Sequence, residues 1–352
     1  MSERLEWPAP RVLVIGAQGV LGALLSGAFA QAGWSVLRGG RRPDERADFR
    51  YVDLDEPETM ARAAGEVDVI VTAVPDLGLA AERTVLDRGG LLMNVSALPA
   101  RAGRELRERM TRPRGTVVMN AGLAPGVTNL VAADLVAAHP HADELELVFT
   151  VSSKATSGRA GGDFAHRGLS ALAKHRTAVI PLPAPLGARR CLGFAEPDGG
   201  WLGTFAAGVT INPYICLTER SAHRALLAAN RAGVMNRLPR AMLRSAPSGA
   251  DAVSGEPVAH WIAVRRRGER IAARTVRCRG DYAAAAASTV TFAEALYSTD
   301  TPHGVLDCES LLRLDQLAIP LREAGIVIHE EPSGRPALHP PAALASAGAR
   351  AR

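Results

Sequence analysis

The sequence predicts an α/β protein: a doubly wound parallel sheet with helices on both faces, followed by a second α+β domain on a mainly antiparallel sheet. Three observations predict it. Short β-branched runs alternate with helical stretches over the first 120 or so residues. A glycine triplet follows the first of those runs directly. After residue 143 the strand signals come as longer runs, one of them a hairpin, with fewer helices between them.

The elements justify this in order. Arg11 to Ile15 (RVLVI) is a run suited to a strand buried on both faces. A glycine turn leads into a helix from about Val20 to Ala32, closed by Gly33. Further strands are expected at 35–38, 50–53, 68–74, 91–95 and 116–120, with helices near 57–65, 77–88 and 100–110. Right-handed crossovers place every strand C-terminus on one edge, where ligands bind. Val127 to Ala138 reads as a helix. Strands follow at 145–152, 177–182, 209–218 and 260–278, the last folded back around Arg267, Gly268 and Glu269. Helices are expected near 163–175 and 221–233. The expected domains are 1–142, 143–280, a C-terminal segment over 281–331, and a disordered Pro/Ala-rich tail over 332–352.

Composition excludes several classes. The chain has 352 residues, 47% of them hydrophobic and 22% charged, an ordinary globular balance. Its net charge is +5, but only Lys154 and Lys174 are lysines, and the arginines are scattered among 36 acids. No basic helix or aromatic-interleaved stripe appears, so no nucleic-acid partner is expected. The apolar stretch from Val12 to Gly33 holds five glycines and reads as strand, turn and helix rather than a membrane span. The opening SERLEWPAP is unlike a signal peptide, and Cys191, Cys216, Cys278 and Cys308 form no CxxC pair, so free thiols in the cytoplasm are expected. His139 and His141 (HPH) lack nearby partners, and no metal site is expected.

The glycine turn carries the strongest chemistry. In VIGAQGVLG, Gly16 lets the chain turn, Gly19 lets backbone approach a pyrophosphate, and Gly22 lets helix and strand pack closely. The helix N-terminus, with Gln18, Val20 and Leu21 around it, offers free N–H groups and partial positive charge to phosphates. This is a Rossmann-type dinucleotide motif, in the GxxGxxG spacing; the alternative is a purely structural turn. The second strand then bears on the cofactor. An NAD site wants an acid near its end to hold the ribose 2′-hydroxyl. Here the strand runs into RGGRRP, with Arg38, Arg41 and Arg42 and no acid. Planar guanidinium forks suit a 2′-phosphate, so NADP(H) is the expected cofactor ahead of NAD; an arginine-rich surface loop is the alternative. Asp53 is expected near the adenine. Thr72, Ala73 and Val74, the stretch Asn94 to Ser96, and Gly122 are expected along the path to the nicotinamide. The Tyr-x-x-x-Lys pair of short-chain dehydrogenases is absent, since Tyr51, Tyr214, Tyr282 and Tyr297 have no lysine four residues on.

Several segments carry a family resemblance. NAGLAPGVTNLVAADLVAAH resembles the G-[LI]-x-P-G-x-x-x-x-x-A segment of the saccharopine dehydrogenase-like oxidoreductases. VSSKATSGRAGGDFAHRGLSAL is similar to that family's strand, glycine loop and helix. DYAAAAASTVTFAEALYS and HGVLDCESLLRLDQLAIPLREAGI are similar to its closing helices, and the resemblance implies helices over 281–331 that pack back on the first domain. The order of these segments matches over most of residues 11–330. The resemblance implies a loop at Gly122–Gly126 that closes over the cofactor, and Arg167 as the holder of a substrate carboxylate, where a surface ion pair is the alternative. It also implies hydride transfer to or from a C=N or C=O carbon. Saccharopine reductases of the family often carry an acid where Ala124 stands, and their substrate domain is longer. A smaller amino-acid-derived metabolite is therefore the expected substrate. His166, Lys154 and Tyr214 are the candidate proton donors, His166 and Tyr214 with structural alternatives, and Asp163 suits a helix N-cap. A non-catalytic NADP(H) sensor is the rival function, and a homodimer is left open.

Overall fold

The computed structural model describes residues 9–96, 98, 100–152, 159–184, 186–194, 206, 208–239 and 257–332. The first sheet has seven strands, all parallel. They are β1 (Arg11–Ile15), β2 (Ser35–Gly40), β3 (Phe49–Tyr51), β4 (Val69–Thr72), β5 (Leu91–Asn94), β6 (Thr116–Met119) and β13 (Gly304–Asp307), in the order β3-β2-β1-β4-β5-β6-β13. Strand order reverses between β1 and β4, the switch point of a doubly wound sheet. The helices between these strands are α1 (Val20–Gln31), α2 (Pro57–Ala64), α3 (Ala80–Arg88) and α4 (Ala100–Arg109).

Alternation along each strand sends side chains to two cores. Val12, Val14, Val69, Val71, Met93 and Val118 pack with Leu25 and Phe29 of α1 on one face. Leu13, Ile15, Ile70, Leu92 and Val117 pack with Met60 of α2, Leu86 of α3 and Leu106 of α4 on the other. Every residue of β4, β5 and β6 is buried, which explains why these strands are apolar but for Thr72, Asn94 and Thr116 at their ends. Each fully buried Leu, Val or Phe contributes roughly 1.5–3 kcal/mol, before the entropy of ordering it.

The chain leaves β6 through α5 (Val127–Ala138) into a second seven-stranded sheet. Its strands are β7 (Glu144–Val151), β8 (Thr177–Pro181), β9 (Ala188–Gly193), β10 (Thr210–Leu217), β11 (Pro257–Arg266), β12 (Glu269–Arg279) and β14 (Val327–Glu331), ordered β14-β12-β11-β7-β10-β9-β8. All neighbours are antiparallel except β7 and β10. The β11–β12 turn places Arg267 (φ 51°) and Gly268 (φ 80°) in the left-handed region, the twist a tight hairpin requires. Leu145, Leu147, Ile262, Val264 and Val276 continue the first core, packing on α5 and α8 (Asp281–Tyr297). On the same sheet, Ile215 and Leu217 of β10 pack with Leu169 of α6 (Arg159–Ser170) and Leu226 of α7 (Arg220–Arg231).

The last segment is not purely helical, as the sequence reading had it. Beyond α8, β13 adds the seventh strand to the first sheet, and after α9 (Cys308–Leu311) and α10 (Leu314–Glu323), β14 joins the edge of the second. Both strands are only four or five residues long, too short to show a period. Arg107 of α4 holds β13 through the Val305 carbonyl (3.1 Å) and the Asp307 carboxylate (3.0 Å). Arg274 of β12 bridges Asp134 of α5 and Glu330 of β14. Trp34, edge-on to both Phe29 and Tyr297 at 5.3 Å, fixes α8 against α1.

Candidate functional site

The C-terminal ends of β1, β4, β5 and β6 share one edge of the first sheet, because all four strands are parallel. Gly16 (φ 83°) turns the chain there; its N–H and that of Ala17 donate to the Gly39 carbonyl at the end of β2 (2.9 and 3.2 Å). The Gly19 N–H donates to the Gly16 carbonyl (2.9 Å), and Gly19 occupies the N-cap of α1 without a capping side chain. The first-turn N–H groups of α1, at Val20 and Leu21, are thus left to a ligand or water.

The three glycines have different reasons. A Cβ on Gly22 would stand 2.1 Å from the Gly16 carbonyl oxygen and 2.8 Å from the Ala17 Cα, so helix and turn meet backbone to backbone. A Cβ on Gly16 would stand 2.5 Å from Val74 Cγ1. A Cβ on Gly19 would meet only the Gly16 oxygen, at 3.3 Å. Among the described residues no other atom lies within 4 Å of that Cβ position, so the backbone at Gly19 is open.

Gln18 donates from Nε2 to the Arg42 carbonyl (3.0 Å) and so ties the glycine turn to the loop after β2. In that loop Arg38 pairs with Asp48 (3.4 Å). Arg41 and Arg42 are exposed, and neither pairs with a carboxylate among the described residues. Asp53 follows β3; its Oδ1 accepts the Asp55 N–H (3.1 Å), and its N–H and carbonyl are both bonded to Thr59 Oγ1, a turn that leads into α2.

At the next strand ends, Thr72 is fully buried and its carbonyl accepts the Val95 N–H (3.2 Å). The Ala73 N–H donates to the Ile15 carbonyl (3.0 Å), and Val74 rests on Gly16. Ser96 donates from its N–H (2.9 Å) and its hydroxyl (2.8 Å) to Asn94 Oδ1. Beyond β6 the Gly122–Gly126 loop is tight: a Cβ on Gly126 (φ 138°) would stand 1.8 Å from the Gly122 oxygen. Helix α8 lies beside it, with Thr289 Oγ1 donating to the Ala121 carbonyl (2.8 Å) and the Ala285 methyl 4.0 Å from where a Gly122 Cβ would be.

The second-domain candidates are less concentrated. Helix α6 begins at Arg159, so Asp163 sits in its second turn rather than at the N-cap; the glycines at 161 and 162 did not delay the helix start. His166 is half-buried with both ring nitrogens engaged, Nε2 with the Leu238 carbonyl (2.8 Å) and Nδ1 with Ser170 Oγ (3.4 Å). Arg167 is exposed and makes no ion pair among the described residues. Lys154, and the tail beyond residue 332, lie outside the described residues. Tyr214 packs with Val148, Cys216 and Trp261 on the sheet face opposite α5 and α8, under the Arg176 guanidinium (5.0 Å to the ring centre). That face is turned away from the domain junction, so Tyr214 is not a proton donor to a ligand there.

Three buried titratable groups escaped sequence reasoning, two of them beside the site. Glu82 of α3 is fully buried and accepts from Asn94 Nδ2 at 2.6 Å; burial pushes its carboxyl up to about 7. Glu309 accepts from Asn129 Nδ2 (3.3 Å) and the Cys308 thiol (3.3 Å) behind the Gly122–Gly126 loop, and burial pushes it up to about 7 as well. His260 of β11, on the face toward α5 and α8, is fully buried beside Phe149 with both nitrogens unpartnered; burial holds it down to about 4, so it is neutral. An acid flanked by Ala81 and Val85 on the apolar face of a predicted helix was the one available signal, and it concerns Glu82. Among the described residues no cluster of His, Cys, Asp or Glu fits a metal ion, the four cysteines are buried free thiols, and no helix is long and apolar enough to cross a membrane.

Turn, switch point and strand order together define a two-domain fold with a Rossmann-type first half. The chain shares this fold with saccharopine dehydrogenase (L-Glu forming) from Saccharomyces cerevisiae, with a TM-score of 0.57 at 13% identity over 92% of this chain and 99% of that one. Weaker likenesses include a mutant meso-DAP dehydrogenase from Clostridium tetani (TM-score 0.43, 11% identity, 87% and 98% of the two chains). The NADPH complex of leucoanthocyanidin reductase from Vitis vinifera gives 0.24 at 21% identity over 31% and 46%. No protein-family model and no curated protein sequence matches the chain.

Proposed function

We propose that the protein is an NADPH-dependent oxidoreductase acting on a C=N or C=O carbon of a small, carboxylated, amino-acid-derived metabolite. The observation that carries this reading is the pairing of an open backbone at Gly19 with two unpaired guanidinium groups, Arg41 and Arg42, at the end of β2. The residues present fit a dinucleotide. The N–H groups at the start of α1 suit a pyrophosphate, Arg41 and Arg42 a 2′-phosphate, and Thr72 to Val74, Ser96 and Gly122 the path to the nicotinamide. The dinucleotide, when bound, supplies the hydride chemistry; this chain's residues orient it and exclude water. Arg167, with its guanidinium unpaired among the described residues, suits a substrate carboxylate, and His166 or Lys154 a proton transfer.

One observation favours a second reading, a non-catalytic NADP(H) sensor: both nitrogens of His166 are already engaged within α6 and at Leu238. Incubating the protein and NADPH with pools of amino-acid-derived imines and keto acids, and following loss of NADPH absorbance, tests the proposal. Substrate-dependent oxidation supports the enzyme; tight NADPH binding with no turnover across the pools supports the sensor.

A further inference from the structure

Asn94 joins the ends of three strands at the site. Its carbonyl accepts the Ala121 N–H (3.0 Å), where the Gly122–Gly126 loop begins. The N–H of its neighbour Val95 donates to the Thr72 carbonyl (3.2 Å), and its side-chain Oδ1 takes both donors of Ser96. With Oδ1 occupied twice, the orientation of the amide is set by its other end, where Nδ2 donates to Glu82 Oε1 at 2.6 Å. Asn94 and Glu82 are both fully buried.

The surroundings of Glu82 suit a neutral acid. Oε2 meets no N–H donor among the described residues and no cation pairs with the carboxyl; the side-chain neighbour it has besides Asn94 is the Asp76 carboxylate, to which only a protonated Glu82 can donate. The one charged group acting on it is Asp76, in the loop after β4, whose carboxylate accepts the N–H groups of Gly78 and Ala81 (both 3.0 Å) at the head of α3. Asp76 repels an ionised neighbour. Helix α2 and strand β6, which also pack on α3, bring apolar side chains to this region, Met60 and Ala63 from α2 and Val117 from β6. An ionised carboxylate there would be desolvated, without a cation and beside a like charge, with only the Asn94 amide and backbone N–H to hold it, so it would draw in water and loosen that amide.

We propose that Glu82 is a positioning residue: as a neutral acid it fixes the Asn94 amide, and through it the Ser96 turn, against the nicotinamide end of the cofactor site. This rests on the dinucleotide reading above. Ionisation of Glu82 through neutrality then weakens cofactor binding with no contact between Glu82 and the cofactor.

The test is NADPH affinity, by fluorescence titration of the full chain, across about pH 5.5 to 8.5 for the wild type, Glu82→Gln and Glu82→Leu. Gln keeps the acceptor for Asn94 and cannot ionise. Leu fills the space and offers no acceptor. The 2′-phosphate of NADPH titrates in the same range for every chain, so the ratio of wild-type to Gln affinity isolates Glu82. The expected ratio is near unity at the acid end and falls several-fold through neutrality, with the Leu variant weak at every pH. A purely structural role would change denaturation midpoints and leave this ratio flat. A flat ratio overturns the proposal, and the Gln comparison decides it even if the Leu variant does not fold. If the wild type binds no dinucleotide at any pH, the cofactor reading itself fails and the proposal falls with it, an outcome distinct from a flat ratio.

Discussion

Gly22 and Gly16 touch through their backbones: a Cβ on Gly22 would lie 2.1 Å from the Gly16 carbonyl oxygen, whereas one on Gly19 would meet that oxygen at 3.3 Å and nothing else. Substitutions at the two positions should therefore fail differently. Gly22→Ala pushes α1 off the turn and should cost about 1–3 kcal/mol of stability, read in a denaturant midpoint. Gly19→Val should change the midpoint little and abolish NADPH binding. A folded Gly19→Val variant with unchanged affinity would contradict the phosphate assignment.

Arg41 and Arg42 are expected to discriminate between cofactors. Replacing both with Ala should weaken NADPH by about ten- to a hundredfold, the worth of roughly 1.5–3 kcal/mol for a charge-assisted hydrogen bond, and should leave NADH nearly unaffected. Equal losses for both dinucleotides would remove the 2′-phosphate role. Arg38, already paired with Asp48, should contribute little in the same assay.

Glu309 gives a stability prediction with a definite sign. Its folded-state value of about 7 stands above the ordinary 4.5, so the folded protein holds a proton that the unfolded chain releases between those values. The stability this contributes is complete below 4.5 and is lost as pH rises through about 7. Glu309→Gln should therefore gain on the wild type across that window, by at most on the order of 3 kcal/mol, and level off above it. Denaturant midpoints at a series of pH values would show it; a constant difference would mean that Glu309 titrates alike in the folded and unfolded chain.

His260 has the opposite sign. Its folded value of about 4 lies below the ordinary 6.5, so stability is lost as pH falls from 6.5 toward 4, when the unfolded chain takes up a proton the buried ring refuses. Since neither ring nitrogen has a hydrogen-bond partner among the described residues, His260→Leu should flatten the acid limb while keeping or raising stability at neutral pH. A strong loss at neutral pH would show that the ring is bonded after all.

The first sheet was legible because buried parallel strands and the glycine turn each leave a dense local signature. Val12 to Ile15 and Val69 to Val71 are apolar throughout, and Gly16, Gly19 and Gly22 stand at the spacing the turn needs. The hairpin turn at Arg267 and Gly268 was legible for the same reason. Strands β13 and β14 were not, since each is paired by residues 50 or more positions away and is too short for periodicity. Nor was the partnership of Glu82 with Asn94, which depends on how α3 lies across β5. Tyr214 shows the converse: NPYI marks a polar break in a strand, and only the register with β9 and β7 reveals that its ring faces away from the junction.

Arg167 bears on substrate class. Arg167→Lys keeps the charge and loses the planar fork, so KM for a carboxylated substrate should rise strongly while NADPH affinity stays constant. Unchanged KM would assign the exposed guanidinium to the solvated surface of α6.

The central claim, a dinucleotide site that prefers the 2′-phosphorylated form, is tested most directly by parallel titrations of the wild-type chain with NADPH and NADH. The account predicts saturable binding of both, with NADPH tighter by about tenfold or more. Absence of binding, or an equal or tighter affinity for NADH, would contradict it.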